Sequence, residues 1–384
     1  MKLKNICGLI IILILSCHRS APEKPLQIGL IEELNPQQKA ELIQLLKASP
    51  FFKEKDLKLV SIFGLEPALL LASPHPPDVV ELEWKNRSIA PEYFLSLNPY
   101  LEKWVIPWVY ADQHFQVGRF KDSYCLLPFR YSWLGFFYSQ SILTSPPASW
   151  EELEEICTAH PSSMGLDFSR PSEVLKFILS LIWEFKGNEF ELENPKTKSA
   201  LYFLAGIKDC FSPYAENYNL KLLAEALERG EVYFAFAEPE LAKILADKGI
   251  LNQGIYTAPL PGKKGVAYTS TLLGVNKKTE NPELAVRLAI LLTQSQTQNQ
   301  AIEKELWLAP VKGKKDLQNI FSSFLESASR LKPVPYQVNY SAFSRLYQEI
   351  FVQIVFKGRA VELVVVDYQL PLRQIKLGLF EESK

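Results

Sequence analysis

Short apolar runs alternate with a helix-like segment in the first part of the chain. Residues 26–31, 58–63 and 79–82 are apolar runs of strand length. Between the first two, Asn35 is followed by a proline and, three residues after Asn35, by Gln38, the pattern of an N-cap and its capping-box partner. Strand, helix and strand in this order predict a parallel α/β layer.

The second half has the same character. Residues 232–237, 255–258 and 271–275 are predicted strands, and residues 174–183 are apolar nearly all round, which predicts a buried helix. Two domains are expected, because the 368 residues after position 16 accommodate two domains of about 100–200 residues each.

Residues 126–152 lie between these halves. Two apolar runs are joined there through Arg130, Tyr131 and Trp133, and Ser149 opens a capping box after a pair of prolines. This pattern predicts that the chain leaves one lobe and enters another, with a cleft over the crossing.

The N-terminus has the plan of a targeting segment. Two lysines precede an apolar run over residues 6–15, and a serine precedes Cys17. The run is shorter than the ~20 apolar residues of a spanning helix. The four residues that end at Cys17 resemble a bacterial lipobox, which implies a signal peptide over 1–16, lipid on Cys17 and a tether over 17–24. An ordinary secretory signal or an uncleaved anchor is the alternative.

Charge and cysteine content exclude several classes of protein. The formal net charge is −1, and no basic run is dense enough for a nucleic-acid groove. Besides Cys7 and Cys17, the chain has Cys125, Cys157 and Cys210, so at most one internal disulfide can form. Free buried thiols are the expected state.

The sequence also lacks the common catalytic motifs. The four histidines are scattered, without the His-Glu-x-x-His spacing of a metal site, and no Gly-x-Ser-x-Gly turn or Cys-x-x-Cys pair occurs. We expect a binding protein rather than an enzyme, without a cofactor or metal.

Several segments, in their order along the chain, resemble the extracellular solute-binding proteins of ABC importers, in the sugar-binding, maltose-binding-protein-like branch. They are PPDVV at 76–80, LNPYLEKW at 97–104, the runs 127–143 and 146–153, GEVYFAF at 230–236, IYTAPLPGKKG at 255–265, and the late segments 281–302 and 338–350.

The resemblance implies an α/β, two-lobed periplasmic-binding-protein fold of type II, with a ligand cleft between lobes joined by hinge crossings. The first lobe would hold 25–130 plus 262–309, and the second 131–258 plus 313–384. The crossings would lie near 130–133, 257–261 and 309–312.

The chain departs from the family pattern at three places. Glu238-Pro239-Glu240 stands where sugar-binding relatives often have an aromatic residue after Gly-Pro, and Phe185-Lys186-Gly187 stands where many have a glycine pair. Residues 361–366 have a local strand pattern, and Pro371 would break a helix, in a stretch where the family has a helix.

Candidate ligand-binding residues follow the predicted strands, because ligands of open α/β sheets sit outside the C-terminal strand ends. Aromatic rings stack on sugar faces and carboxylates accept hydroxyl hydrogen bonds, although the same acids would suit a cationic ligand. Core packing is the equal alternative for Tyr131 and Trp133, and pairing with Asp167 is the simpler expectation for Arg170. The candidates are Glu32, Glu33, Trp84, Tyr131, Trp133, Asp167, Arg170, Glu238, Glu240 and Tyr340.

The function implied is a substrate-binding component of an ABC import system that captures a small solute, with a sugar or polyol favoured, by lobe closure. The expected partners are that solute, an importer permease and the membrane through lipid at Cys17, on the periplasmic or extracellular face of the cell envelope. A monomer without nucleic acid is expected. The alternatives are a surface lipoprotein that has lost transport and a binder of a cationic or other non-sugar solute.

Overall fold

A computed structural model describes residues 24–31, 34–103, 115–310, 319–336 and 338–379 of the chain. Residues 1–23 lie outside the described residues. They include the predicted signal peptide, Cys17 and all but the last residue of the predicted tether. Within the described ranges, no helix has both the length and the apolar character needed to cross a membrane.

The strands in these ranges are labelled in chain order. They are β1 (Leu26–Leu30), β2 (Leu57–Ser61), β3 (Val79–Leu82), β4 (Arg119–Phe120), β5 (Ser123–Tyr124), β6 (Leu126–Trp133), β7 (Gly135–Ser139), β8 (Met164–Leu166), β9 (Phe234–Ala237), β10 (Ile255–Ala258), β11 (Val266–Val275) and β12 (Leu331–Pro333).

The α-helices are labelled in the same way. They are α1 (Pro36–Lys47), α2 (Pro67–Ala72), α3 (Ala90–Tyr93), α4 (Asn98–Lys103), α5 (Trp150–Ala159), α6 (Pro171–Glu184), α7 (Pro195–Gly206), α8 (Leu220–Arg229), α9 (Pro239–Asp247), α10 (Pro282–Thr293), α11 (Ser295–Glu303), α12 (Ser322–Glu326), α13 (Tyr340–Val355) and α14 (Val361–Lys376).

Two main sheets organise the molecule. In the first, β1 lies between β2 and β3 and is parallel to both, and β11 runs antiparallel to β3 and to β6. In the second, the order is β10-β7-β9-β8, with β8 and β9 parallel. The predicted α/β layers are therefore present in both halves.

The chain passes from the first sheet to the second within one residue. Trp133 pairs with Tyr268 of the first sheet, and Gly135 pairs with Ala237 of the second. A β-carbon at Gly135 would lie 2.8 Å from the ring of Phe324, so the crossing requires a residue without one. We propose that the first crossing lies at residue 134; the other lobe boundaries stay predictions.

The position of strand β12 does not fit the predicted bounds of the second lobe. It lies inside the stretch 313–384 assigned to the second lobe, yet it pairs in parallel with β11 of the first sheet. Because the segment that follows it enters α13, we propose that the chain also passes between the two halves after β12.

The capping box at Asn35 forms in full, whereas only half of the one at Ser149 forms, because the Glu152 side chain accepts from the Ala148 amide at 2.7 Å and not from the Ser149 amide. The Asn35 side chain accepts from the Gln38 amide at 2.9 Å, and the Gln38 side chain accepts from the Asn35 amide at 3.0 Å. The Ser149 hydroxyl accepts from the Glu152 amide at 3.2 Å. These contacts fix the starts of α1 and α5.

The local strand interpretation of residues 361–366 is wrong. They begin α14, which continues through Pro371 to Lys376, as the family resemblance implied. Val361, Val364 and Val365 are buried at helical spacing, so tertiary packing overrides their strand propensity.

The expectation of free thiols is also wrong for two of the three internal cysteines. Cys157, in the last turns of α5, forms a disulfide with Cys210, and their Cα atoms are 4.9 Å apart. Cys125 is free and buried. Three internal cysteines allowed one disulfide, but the sequence could not identify which two of them pair, because pairing depends on distances in the folded chain.

Reduction should destabilise the protein through this bridge. The bonded cysteines are 53 residues apart, and the chain-entropy model assigns such a loop about 4 kcal/mol of stabilisation. Thermal unfolding should show a lower Tm in reductant for the wild type and for Cys125→Ala. The Cys157→Ser/Cys210→Ser double variant should not respond, and a reductant response in that variant would refute the assignment.

Candidate functional site

A buried ion pair joins the C-terminal ends of strands in the first sheet. Glu81 of β3 is 1% exposed, and its Oε2 accepts from the Ile31 amide at 3.0 Å and from Arg130 Nη2 at 2.8 Å. The Arg130 guanidinium also lies 5.3 Å from the Phe129 ring and 5.8 Å from the Trp307 ring. Glu81 Oε1 has no hydrogen-bond partner among the described residues.

An aromatic group lies beside this ion pair. The Tyr131 and Tyr268 ring centroids are 5.3 Å apart, and Trp84 meets Tyr268 edge-on at 6.2 Å. Trp84 begins a 3-10 helix, Trp84–Ile89, directly after β3. Its buried Nε1 has no hydrogen-bond partner in the part of the chain described.

Trp133 has a different environment. Its side chain is fully buried, and its Nε1 donates to the Phe324 carbonyl at 3.1 Å. It therefore secures the crossing against α12. The two candidate tryptophans therefore differ. The indole N–H of Trp133 has a hydrogen-bond partner, whereas that of Trp84 has none among the described residues.

Five charged residues form a buried charge cluster at the facing end of the second sheet. Asp167 and Glu238 follow β8 and β9, and Arg170, Glu173 and Lys176 come from the start of α6. Four of the five are at most 5% exposed. Three carboxylates and two cations leave the cluster one formal negative charge.

Arg170 and Lys176 connect the carboxylates. Arg170 Nε donates to Asp167 at 2.8 Å, and its Nη1 donates to Glu238 at 2.7 Å. Lys176 Nζ donates to Glu173 Oε1 at 3.3 Å and to Glu238. The second oxygen of Glu173, Oε2, has no hydrogen-bond partner among the described residues.

The cluster shifts the protonation of its two cations in opposite directions. Burial lowers the pKa of Lys176, and the negative charge of Glu173 offsets only part of that shift. Burial would also lower the pKa of Arg170, but the negative charges of Glu173, Asp167 and Glu240 more than offset it and raise that pKa above its ordinary value. Arg170 is therefore a permanent cation within the cluster.

A cavity of about 380 Å³ lies between the Trp84–Ile89 helix and the segment that enters α13. It is lined by Trp84, Lys85, Arg87, Ser88, Tyr336, Val338, Asn339 and Tyr340. Arg87 holds this wall together, because it donates to the Val117 and Tyr336 carbonyls and lies 4.4 Å from the Phe120 ring.

Tyr340 connects the cavity to the buried charge cluster. Burial, and after it the negative charge of Glu173, raise the pKa of its hydroxyl above the ordinary value. The Ser172 hydroxyl donates to Glu173 Oε1 at 3.2 Å. The cavity wall at Tyr340 is therefore within reach of the cluster's charge.

The structure separates the predicted ligand residues into groups. Trp84 and Tyr340 line the cavity, and Tyr131 lies one ring behind it. Asp167, Arg170 and Glu238 belong to the buried charge cluster, whereas Glu240 is exposed on α9. Glu32 and Glu33 lie outside the described residues. Ligand contact by any of them stays a prediction.

Sequence reasoning missed Glu173 and Lys176. Both lie in or beside a run that was interpreted as apolar nearly all round, and both are at most 1% exposed. The available signal was the charge itself, since a lysine inside an apolar run is rarely buried without a partner.

The fold and family can be compared with known proteins. The family model of bacterial extracellular solute-binding proteins matches residues 75–313, and no curated protein sequence gives a significant match. Solved structures with the same two-lobed fold include the sugar-binding protein MalE from Xanthomonas citri, with a TM-score of 0.75 and 15% identity over 94% of this chain and 100% of that one.

Two further structures are similar in the same way. Maltose-bound MalE3 of T. maritima has a TM-score of 0.70 and 15% identity, covering 91% of this chain and 99% of that one. UgpB from Mycobacterium tuberculosis, in complex with glycerophosphocholine, has a TM-score of 0.70 and 16% identity, covering 92% and 98%. At these identities the likeness establishes the fold. Because the family model covers more than half of the sequence, the chain belongs to the bacterial extracellular solute-binding proteins and is a binding protein rather than an enzyme.

Proposed function

We propose that this protein is the substrate-binding component of an ABC importer and closes its lobes on a small neutral sugar or polyol. The cavity between Trp84 and Tyr340 carries this proposal, since it brings a wall after β3 of the first sheet against the start of α13. Its volume of about 380 Å³ is in the lower part of the ~300–1,000 Å³ range of small-molecule sites.

The unsatisfied groups around the cleft suit a polyhydroxyl solute. Trp84 Nε1 is a donor, and Glu173 Oε2 and Glu81 Oε1 are acceptors, all buried without a hydrogen-bond partner among the described residues. Sugar hydroxyls both donate and accept, and the rings of Trp84 and Tyr340 offer apolar faces. A buried unpaired group costs about 1–3 kcal/mol, so a solute that satisfies these groups gains affinity.

Charge around the cavity favours a neutral solute over an ion. The buried charge cluster, with its net negative charge, disfavours an anion on one side. On the opposite side of the cavity, the positive charges of Lys85 and Arg87 disfavour a cation. Lys85 is already paired with Glu83 at 2.5 Å, and Arg87 with backbone carbonyls, so neither supplies a free anion site.

Closure follows from differential binding to the closed state. Residues 259–265, the return segment, connect β10 of the second sheet to β11 of the first. Glu184 holds this segment, because its Oε2 accepts from the Lys263 and Lys264 amides at 2.9 and 2.8 Å. Arg330 donates to the Leu260 carbonyl at 3.0 Å and to that of Gly262. We propose that this clamped segment is one of the hinges.

The family places the protein outside the cytoplasm, on the extracellular or periplasmic side. We propose that lipid on Cys17 anchors it there and that an ABC permease receives the solute. The lipobox-like end of the N-terminal segment supports the anchor, and the Cys157–Cys210 disulfide agrees with an oxidising compartment.

A thermal-shift screen should identify the solute class. Neutral sugars or polyols should raise Tm, because a ligand at 100 times its Kd stabilises the folded state by about 2.7 kcal/mol. The panel should include polyamines and phosphate compounds. A response to polyamines alone would favour the cationic alternative, and uniform silence would favour a surface protein that has lost transport.

The two tryptophans provide a matched pair for locating the site. Trp84→Phe removes an unpaired N–H and should weaken solute binding. Trp133→Phe removes the same volume plus a hydrogen bond to Phe324, so it should cost about 1 kcal/mol more stability than Trp84→Phe while leaving affinity unchanged. Chemical denaturation and calorimetric titration give both quantities. Weaker binding only in Trp133→Phe would exclude Trp84 as the contact.

A further inference from the structure

Lys243 is a half-buried cation at the junction of the two halves of the molecule. Its Nζ donates to the Leu306 carbonyl at 3.3 Å and lies 5.8 Å from the centre of the Phe321 ring. The side chain is not part of the cavity wall. Any effect of Lys243 on solute binding must therefore act through the arrangement of the lobes.

The carbonyl at the other end of this contact is fixed to the first sheet. Leu306 is fully buried in the core that this sheet forms with α1 and α10. The neighbouring Trp307 is buried in the same core, and its Nε1 donates to Gln298 at 2.7 Å. Residues 306–308, which precede the crossing predicted near 309–312, therefore move with the first lobe.

Helix α9, which carries Lys243, belongs to the other half of the molecule. It begins directly after β9 of the second sheet, and its N-cap residue is Glu238 of the buried charge cluster. Its C-cap residue, Lys248, pairs with Glu228 of α8 in the same half. Lys243 lies about 7.5 Å along the helix axis from Glu238. One short helix would therefore carry a movement of Glu238 to the contact with Leu306.

We propose that Lys243 is a positioning residue that couples the buried charge cluster to the first lobe by tying α9 to residues 306–308. The contact is made in the arrangement of the lobes seen here and would be lost if the lobes separated at this crossing, so it favours this arrangement. The inference rests on the proposed closure of the lobes but not on which solute they bind. Lys243 then changes the population of the lobe arrangements without touching the solute.

Pulsed electron paramagnetic resonance on the full chain measures this effect without a solute. Spin labels on ketone-bearing amino acids at the exposed positions of Leu69 in α2 and Leu222 in α8 report the distance between the halves and avoid the native cysteines. Lys243→Met keeps an aliphatic side chain beside Phe321 but removes the donor. The distance distribution should therefore shift or broaden relative to the parent protein. Lys243→Arg retains a donor and should restore the parent distribution.

Lys248→Met is the matched control, because it removes a lysine of the same helix whose partner lies in its own half. It should give the parent distribution. An unchanged distribution in Lys243→Met, or an equal change in Lys248→Met, would overturn the role of Lys243. A parent protein whose distance stays the same with every solute of the thermal-shift panel would instead overturn closure, and the comparison made without solute would still decide the role of Lys243.

Discussion

The buried charge cluster at the start of α6 is the constraint on which the rest of the cleft depends. Glu173 and Lys176 are almost completely inaccessible, and breaking such a buried pair costs about 3–5 kcal/mol in comparable proteins. The surrounding residues must therefore hold every charge in place. Among the described residues, two buried polar atoms of the cluster have no hydrogen-bond partner, Glu173 Oε2 and Arg170 Nη2. We propose that the solute supplies the missing donor to Glu173 Oε2.

We propose that helix α6 couples solute binding to movement of the lobes. Its first turns hold the buried charge cluster, and its last residue, Glu184, accepts two amides of the return segment. Midway, the Ser180 hydroxyl accepts from the Ala267 amide of β11 at 2.9 Å. One rigid helix therefore contacts the cleft, the first sheet and a proposed hinge. A solute that repositions its first turn would act on all three.

Local sequence rules predicted what local contacts determine. The caps at Asn35 and Ser149 and the strands follow from neighbouring residues and patterning. The missed features depend on contacts distant in sequence. Trp133 faces Phe324 rather than the cavity, and Cys157 meets Cys210. The family resemblance succeeded at α14, where local propensity failed, because packing on the lobe decides that segment.

Calorimetric titration of Glu173→Gln with the solute found in the screen tests the central claim most directly. The account predicts a Kd at least about tenfold weaker than that of the wild type, because a hydrogen bond to a charged group contributes about 1.5–3 kcal/mol. Glu228→Gln, at a partly exposed ion pair on α8, is the control and should bind as the wild type does. An unchanged Kd in a folded Glu173→Gln would contradict the account.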